Sequence, residues 1–219
     1  NVDLENTDQL NKASREVRDL IEHQKLQDEL EAEILESYHI LSSEKLESSI
    51  RVSQDALNIL KNSYEPAFVS VRSSATTEDL AGASFAGQQE SFLNVKGDRA
   101  LIMNIKKCFS SLYTPRAIYY RNKQGFKEGE SLLATVIQKM VDSVKSGVMF
   151  SRNPVGDQEE IVIEAVFGLG EGIVSGQIKP DHFVVSRDLK IKSVELFEKK
   201  IAIVRTGSGD NATVKLSPE

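Results

Sequence analysis

Three short stretches combine residue types that could handle a phosphorylated nucleotide. In Val71-Arg72-Ser73-Ser74-Ala75-Thr76-Thr77-Glu78-Asp79 an arginine follows a run of β-formers and is succeeded by four hydroxyls, and Ala86-Gly87-Gln88 lies a few residues on. A guanidinium fixed at a strand end suits phosphate oxygens, which it can meet with two parallel N–H groups. A glycine lets main-chain N–H groups approach an anion closely. The same residues also fit a purely structural turn in which Arg72 pairs with Glu78 or Asp79. Gln138-Lys139-Met140-Val141 ends an apolar run in polar groups and a thioether. Its main chain could serve an adenine edge with Met140 as packing surface, or Met140 is ordinary core. Glu164, following Ile163, and Glu171, among Gly168, Gly170, Gly172 and Gly176, could accept hydrogen bonds from ribose hydroxyls or belong to structural turns.

Other chemistries lack their residues. The phosphate loop GxxxxGK[ST] is absent, and Gly168 to Gly172 does not complete GxGxxG, so neither a P-loop enzyme nor a dinucleotide fold is supported. His23, His39 and His182 have no metal-ligand spacing and Cys108 is the single cysteine, so no zinc site of protein ligands is expected. Cys108 sits in a helical apolar pattern and reads as core, in a reduced, cytoplasmic setting. No apolar run approaches the roughly 18 residues of a membrane span. The net charge of −6 is concentrated early, with seven Lys/Arg against fourteen Asp/Glu in residues 1–64, which argues against a nucleic-acid partner. A polar opening at Asn1 reads as no signal peptide and as a piece of a longer protein. Asn211-Ala212-Thr213 matches a glycosylation sequon, taken as coincidence without a secretory signal.

The positioning elements follow from periodicity. Residues 8–22 and 26–41 repeat apolar positions at helical spacing, and a third helical stretch near 50–62 is stopped by Pro66. Phe68, Val69 and Val71 form a strand feeding the hydroxyl-rich loop, and 91–95 alternates like a second strand. Residues 98–121 read as helical, with Pro115 opening a new turn. Strands are expected at 132–141, 147–151, 161–167, 182–187, 190–197 and 200–205. All 13 glycines lie at or beyond Gly82, and strands do not alternate with long helices. The class is therefore α+β, a helical N-terminal part followed by a mixed or antiparallel β-rich part.

Taken in order, Val71 to Leu80, Ala83-Ser84-Phe85-Ala86-Gly87-Gln88-Gln89-Glu90, Cys108-Phe109-Ser110-Ser111-Leu112-Tyr113, Gln138 to Val141, Gly147-Val148-Met149-Phe150 and Phe167 to Gly176 resemble the N-terminal nucleotide-binding region of the phosphoenolpyruvate synthase (pyruvate, water dikinase) family, most strongly over 67–186. The resemblance implies part of an ATP-grasp fold, in one incomplete domain: a helical segment 1–66, a phosphate-binding region 67–131, and a β-rich region 132–219 with the adenine hinge. It implies that Arg72 binds ATP phosphates and that the segment through Gly87 and Gln88 covers them. It further implies that Gln138, Lys139, Met140 and Val141 hold adenine, and that Glu164 and Glu171 lie near the ribose. ATP and Mg2+ are the implied cofactors. The implied partners are the phospho-His and pyruvate-binding domains of the same full-length chain, with a homodimer open to test. The whole enzyme would convert pyruvate, ATP and water to phosphoenolpyruvate, AMP and phosphate. Pyruvate, phosphate dikinase and rifampin phosphotransferase share the nucleotide region, and a non-catalytic sensing or assembly module is the reading from another class. A GGKGA-type segment, the DIEWA and LQSRP phrases and the phospho-His signature do not occur here, so the fragment is expected to contain no catalytic residue or metal ligand and to show no turnover.

Overall fold

The computed structural model describes residues 3–47, 65–76, 79–80, 83–84, 90–126, 129–156 and 159–217. They divide into two compact units, Asn1–Met140 and Val141–Glu219. The helix expected near 50–62 and the loop carrying Gly87 and Gln88 lie outside the described residues.

The first unit opens with two helices. Asn6 caps α1 (Thr7–His23), its side-chain oxygen accepting the N–H groups of Asp8 and Gln9 at 3.1 Å each, which satisfies two of the donors a helix start leaves unpaired. Helix α2 (Asp28–Glu47) places Asp28, Glu29 and Glu31 in its first turn, where the helix dipole favours negative charge. The sheet has order β4–β1–β5, antiparallel throughout, from β1 (Val69–Ala75), β4 (Phe92–Val95) and β5 (Leu133–Lys139). A small antiparallel ribbon, β2 (Asp79–Leu80) with β3 (Ala83–Ser84), intervenes in the chain. Helix α3 (Asp98–Ser110) turns Leu101, Ile105 and Cys108 onto Val69, Val71 and Val95, joined by Tyr38 from α2. Cys108 is fully buried, as its apolar setting predicted. A 3₁₀ turn (Ser111–Tyr113) ends at Thr114, which caps α4 (Pro115–Lys123) by accepting the Ala117 N–H at 3.2 Å. Proline at the first helical position explains the restart.

β1 is longer than its composition suggests. Ser73, Ser74 and Ala75 were expected in a loop, yet their pairing with Thr135, Ala134 and Leu133 keeps them in the ladder. Tertiary pairing has overridden weak strand propensity.

The second unit is an antiparallel meander of β6 (Lys145–Phe150), β7 (Glu160–Phe167), β8 (Asp181–Ser186) and β9 (Ile191–Glu195), with a hairpin of β10 (Ile201–Arg205) and β11 (Asn211–Lys215). Strand β11 was not anticipated. The glycine-rich segment, read from sequence as a turn, contains one helical turn, α5 (Glu171–Val174). Val166, Leu169, Ile178 and Ile203 form the core. Its tightest point is Gly168, which has φ +81° and bridges to Ile203; a Cβ there would lie 2.2 Å from the Ile203 carbonyl oxygen. Helices and antiparallel sheets together give the α+β class, and no helix among the described residues is long and apolar enough to cross a membrane.

Two substitutions test these cores. Gly168→Ala meets both left-handed strain, about 1–2 kcal/mol, and the Ile203 carbonyl. It is expected to lower the denaturant midpoint by more than about 2 kcal/mol equivalent and to expose the β10–β11 hairpin to hydrogen exchange; near-native protection of 201–215 would refute the close-approach argument. Tyr38 is 2% exposed, and its hydroxyl donates to the Ala67 carbonyl at 2.7 Å while accepting the Gly97 N–H at 2.9 Å. Burial pushes the phenol above its ordinary value, aided by nearby Asp98 and opposed in part by the Gly97 N–H. A value raised in the folded state makes its stability contribution complete below about pH 10 and lost as pH climbs through the folded value. Tyr38→Phe should cost about 1–3 kcal/mol at neutral pH and flatten the alkaline decline, read by urea unfolding at pH 7 and above pH 10.

Candidate functional site

The β1–β5 register decides which of the sequence-identified residues meet. Ser70 pairs with Gln138 and Arg72 with Val136, so Ser70, Arg72 and Ser74 share a sheet face with Ala134, Val136 and Gln138, opposite the face packed on α3. Arg72 and Gln138 are both exposed, and the guanidinium Nη1 reaches Gln138 Oε1 at 3.5 Å. The structure thus brings together the phosphate candidate and the first hinge candidate, which are 66 residues apart in the chain.

The three described hydroxyls after Arg72, those of Ser73, Ser74 and Thr76, do not converge. Ser74 shares the Arg72 face, Ser73 alternates to the other, and Thr76 closes the strand end, accepting the Leu132 N–H at 3.1 Å. Thr77, Glu78, Gly87 and Gln88 lie outside the described residues.

Hinge geometry follows from hydrogen-bond parity. The Met140 N–H donates to the Phe68 carbonyl at 2.8 Å and the Thr76 N–H to the Leu132 carbonyl at 2.9 Å. Even-numbered residues of this stretch therefore face β1. In an antiparallel ladder the intervening residues, Ile137 and Lys139 among them, turn their N–H and C=O the other way. Among the described residues β5 is an edge strand, so those groups point off the sheet, where a planar heterocycle could pair with them. Lys139's side chain lies on the core side and donates to the Leu41 carbonyl at 3.3 Å. Met140 is half-buried just past the strand end, and Val141 opens the second unit, 74% exposed.

In the second unit the two carboxylates have separate surroundings. Glu164 lies on β7 between Val148 of β6 and His182 of β8, with His182 Nδ1 3.7 Å from its Oε1 and each side chain about a third exposed. Glu195 of β9 completes a Glu–His–Glu row across three strands. Glu171 stands at the start of α5 and accepts a hydrogen bond at Oε2 from Asn211 Nδ2. Opposite Asn211 in the hairpin is Arg205, whose Nη2 is 3.5 Å from Asp142 Oδ1. Asp181 anchors the following segment: burial raises its carboxyl, but hydrogen bonds from Lys199 and the Phe197 N–H outweigh that and hold it below the usual carboxylate range.

Sequence reasoning missed His182, set aside for lack of metal spacing, and Asn211, set aside as a sequon. The signal for the second was available: a Gly/Ser/Asp/Asn run, 206–211, between two alternating segments marks a hairpin.

Comparison with known proteins bears on what binds here. The family described as "Pyruvate phosphate dikinase, AMP/ATP-binding domain" matches residues 1–219. A probable phosphoenolpyruvate synthase of Archaeoglobus fulgidus is 45% identical over 219 residues, all of this chain and 27% of that protein. One of Methanocaldococcus jannaschii is 43% identical over 202 residues, 92% of this chain and 15% of that protein. The phosphoenolpyruvate synthase of Pyrococcus furiosus is 40% identical over 214 residues, 97% of this chain and 24% of that protein. The chain thus spans between 15% and 27% of the length of these three curated relatives. With the match running over every residue from 1 to 219, the chain belongs to the pyruvate phosphate dikinase AMP/ATP-binding domain family.

Proposed function

We propose that this chain is the nucleotide-binding part of a cytoplasmic phosphoenolpyruvate synthase and that its two units are portions of an ATP-grasp fold. In this reading 1–66 is the helical segment, 67–131 the phosphate-binding region and 132–219 the β-rich region of one nucleotide-binding domain. The carrying observation is the exposed Arg72–Gln138 pair on a strand pair whose outer edge offers main-chain donors and acceptors. Arg72 meets the phosphates, and Gly87 and Gln88 belong to the loop over them. Residues Gln138 to Val141 hold adenine, with Lys139 offering the main-chain groups that turn off the sheet edge while those of Gln138 and the Met140 N–H face β1, and Glu164 and Glu171 receive ribose hydroxyls.

The whole protein would use ATP and water to phosphorylate a histidine on a separate domain, releasing AMP and phosphate. The phosphoryl group would then pass to pyruvate, giving phosphoenolpyruvate. The names of the relatives favour this outcome over transfer to phosphate or to an antibiotic. Phosphoryl transfer needs mainly positioning and charge stabilisation, and the residues named supply those: Arg72 offsets phosphate charge and the edge strand fixes the base. Mg2+ would neutralise the phosphates as part of Mg-ATP. Among the described residues no group of three or more His, Cys, Asp or Glu side chains is placed to hold a metal ion.

The test is calorimetric titration of the full-length protein with Mg-ATP. Losing a charge-assisted contact costs about 1.5–3 kcal/mol, so Arg72→Ala should weaken ATP about ten- to hundredfold. It should weaken adenosine, which lacks phosphates, less than about twofold. Unchanged ATP affinity in Arg72→Ala would remove the phosphate assignment and, with it, the carrying observation.

A further inference from the structure

The hairpin β10–β11 does more than close the sheet region. Ile203 is buried in the core of the second unit, and its carbonyl accepts the Leu169 N–H at 2.7 Å. The absence of a Cβ at Gly168 permits this approach. The hairpin is therefore fixed to the segment that leads directly into Glu171. Two residues beyond Ile203 stands Arg205, and register places Asn211 opposite it. Asn211 Nδ2 then reaches Glu171 Oε2, a half-buried contact between residues 40 apart in sequence. Arg205, with only 14% of its side chain exposed, extends the row to Asp142, the residue after Val141. A polar chain Asp142–Arg205–Asn211–Glu171 thus runs from the residue following the proposed hinge to the proposed ribose carboxylate.

Left to itself, a glutamate has three rotatable bonds and loses rotamer entropy when a ligand orders it. An amide donor on a rigid hairpin removes that freedom beforehand, and such preorganisation appears as affinity. Asparagine suits this role because its short side chain starts on a strand and its NH2 donates to one carboxylate oxygen. Oε1 is then left to accept a ribose hydroxyl.

We propose that Asn211 is a positioning residue for ribose recognition, holding the Glu171 carboxylate through Oε2 so that Oε1 discriminates nucleotides by their ribose hydroxyls; this rests on the nucleotide reading above. The role predicts a dependence on the sugar that a merely structural contact would not produce. In the full-length protein, Mg-ATP and its 2′,3′-dideoxy analogue are titrated against the wild type, Asn211→Ala, Asn211→Asp, Glu171→Gln, the Asn211→Ala/Glu171→Gln pair, and Arg72→Ala. Asn211→Ala and Asn211→Asp should each weaken ATP about tenfold while changing the dideoxy analogue less than about twofold, and the double variant should bind ATP no more weakly than Glu171→Gln alone. Having the aspartate variant guards against one substitution that fails to fold. If the Asn211 variants weaken both nucleotides equally, leave both unchanged, or add fully to Glu171→Gln, the positioning role is overturned. The arginine variant separates the two levels: loss of both nucleotides in Arg72→Ala with no sugar dependence at Asn211 sinks this inference alone, whereas full ATP affinity in Arg72→Ala sinks the nucleotide reading and this inference with it.

Discussion

The antiparallel register of β1 against β5 is the constraint on which the candidate phosphate and base contacts depend. Val71 opposite Ile137 puts both apolar side chains toward α3, and the same pairing puts Arg72 and Gln138 on the outer face. Side chains alternate with period two, so a slip of one residue would bury the guanidinium and expose the valines. The buried faces of Val69 and Val71 therefore secure the register energetically, and the placement of Arg72 and Gln138 follows from that hydrophobic choice. Parity settles the main chain as well: with Met140 and Thr76 bonded across the pair, the alternate groups of β5 have to leave the sheet at its edge. An exposed edge is ordinarily a hazard for unwanted pairing. Here the proposed pairing with a heterocycle would occupy that edge.

A comparable constraint governs the second unit, though it acts through contact rather than register. Gly168 lets the Ile203 carbonyl approach where any side chain would collide, and that approach carries Asn211 to Glu171. Glu164 is held differently, inside a sheet row with His182 and Glu195. The two carboxylates are thus fixed by unrelated means. One sits on a strand whose neighbours set its position, the other on a single helical turn that depends on a hairpin 40 residues away.

Much of this was legible in the residues. Apolar spacing located α1, α2, α3 and the strands from β5 to β10, because period is a direct consequence of burying one face. Pro115 announced the restart at α4, and Cys108 was recognisable as core. What escaped had non-local causes. Ser73, Ser74 and Ala75 have poor strand propensity and became β1 only through their partners on β5. The turn at Glu171 to Val174 is shorter than any periodic signal. Asn211 was chemically visible but uninformative, since nothing local indicates that a hairpin tip reaches back to Glu171. The hydroxyl-rich run showed the opposite failure: Ser73, Ser74 and Thr76 look like a cluster in one dimension and are dispersed by alternation and by the Thr76–Leu132 closure.

That contrast bears on how candidate binding groups are placed within each unit. Arg72, Gln138, Glu164 and Glu171 are individually ordinary surface or half-buried groups, and for none of these is the local sequence context sufficient to assign a role. Each is nevertheless placed by an element whose own stability comes from elsewhere: β1 and β5 from the α3 core, β7 from its sheet neighbours, and the Glu171 turn from the Ile203 docking. Binding groups that are ordered before ligand arrives need not lose side-chain entropy on binding. The scaffold bears that cost during folding, when hydrophobic burial offsets it. Groups placed in this way need few charged residues around them, which accords with a chain whose acidic excess is confined to its first third while the residues proposed to meet phosphate, base and sugar lie in the nearly neutral remainder.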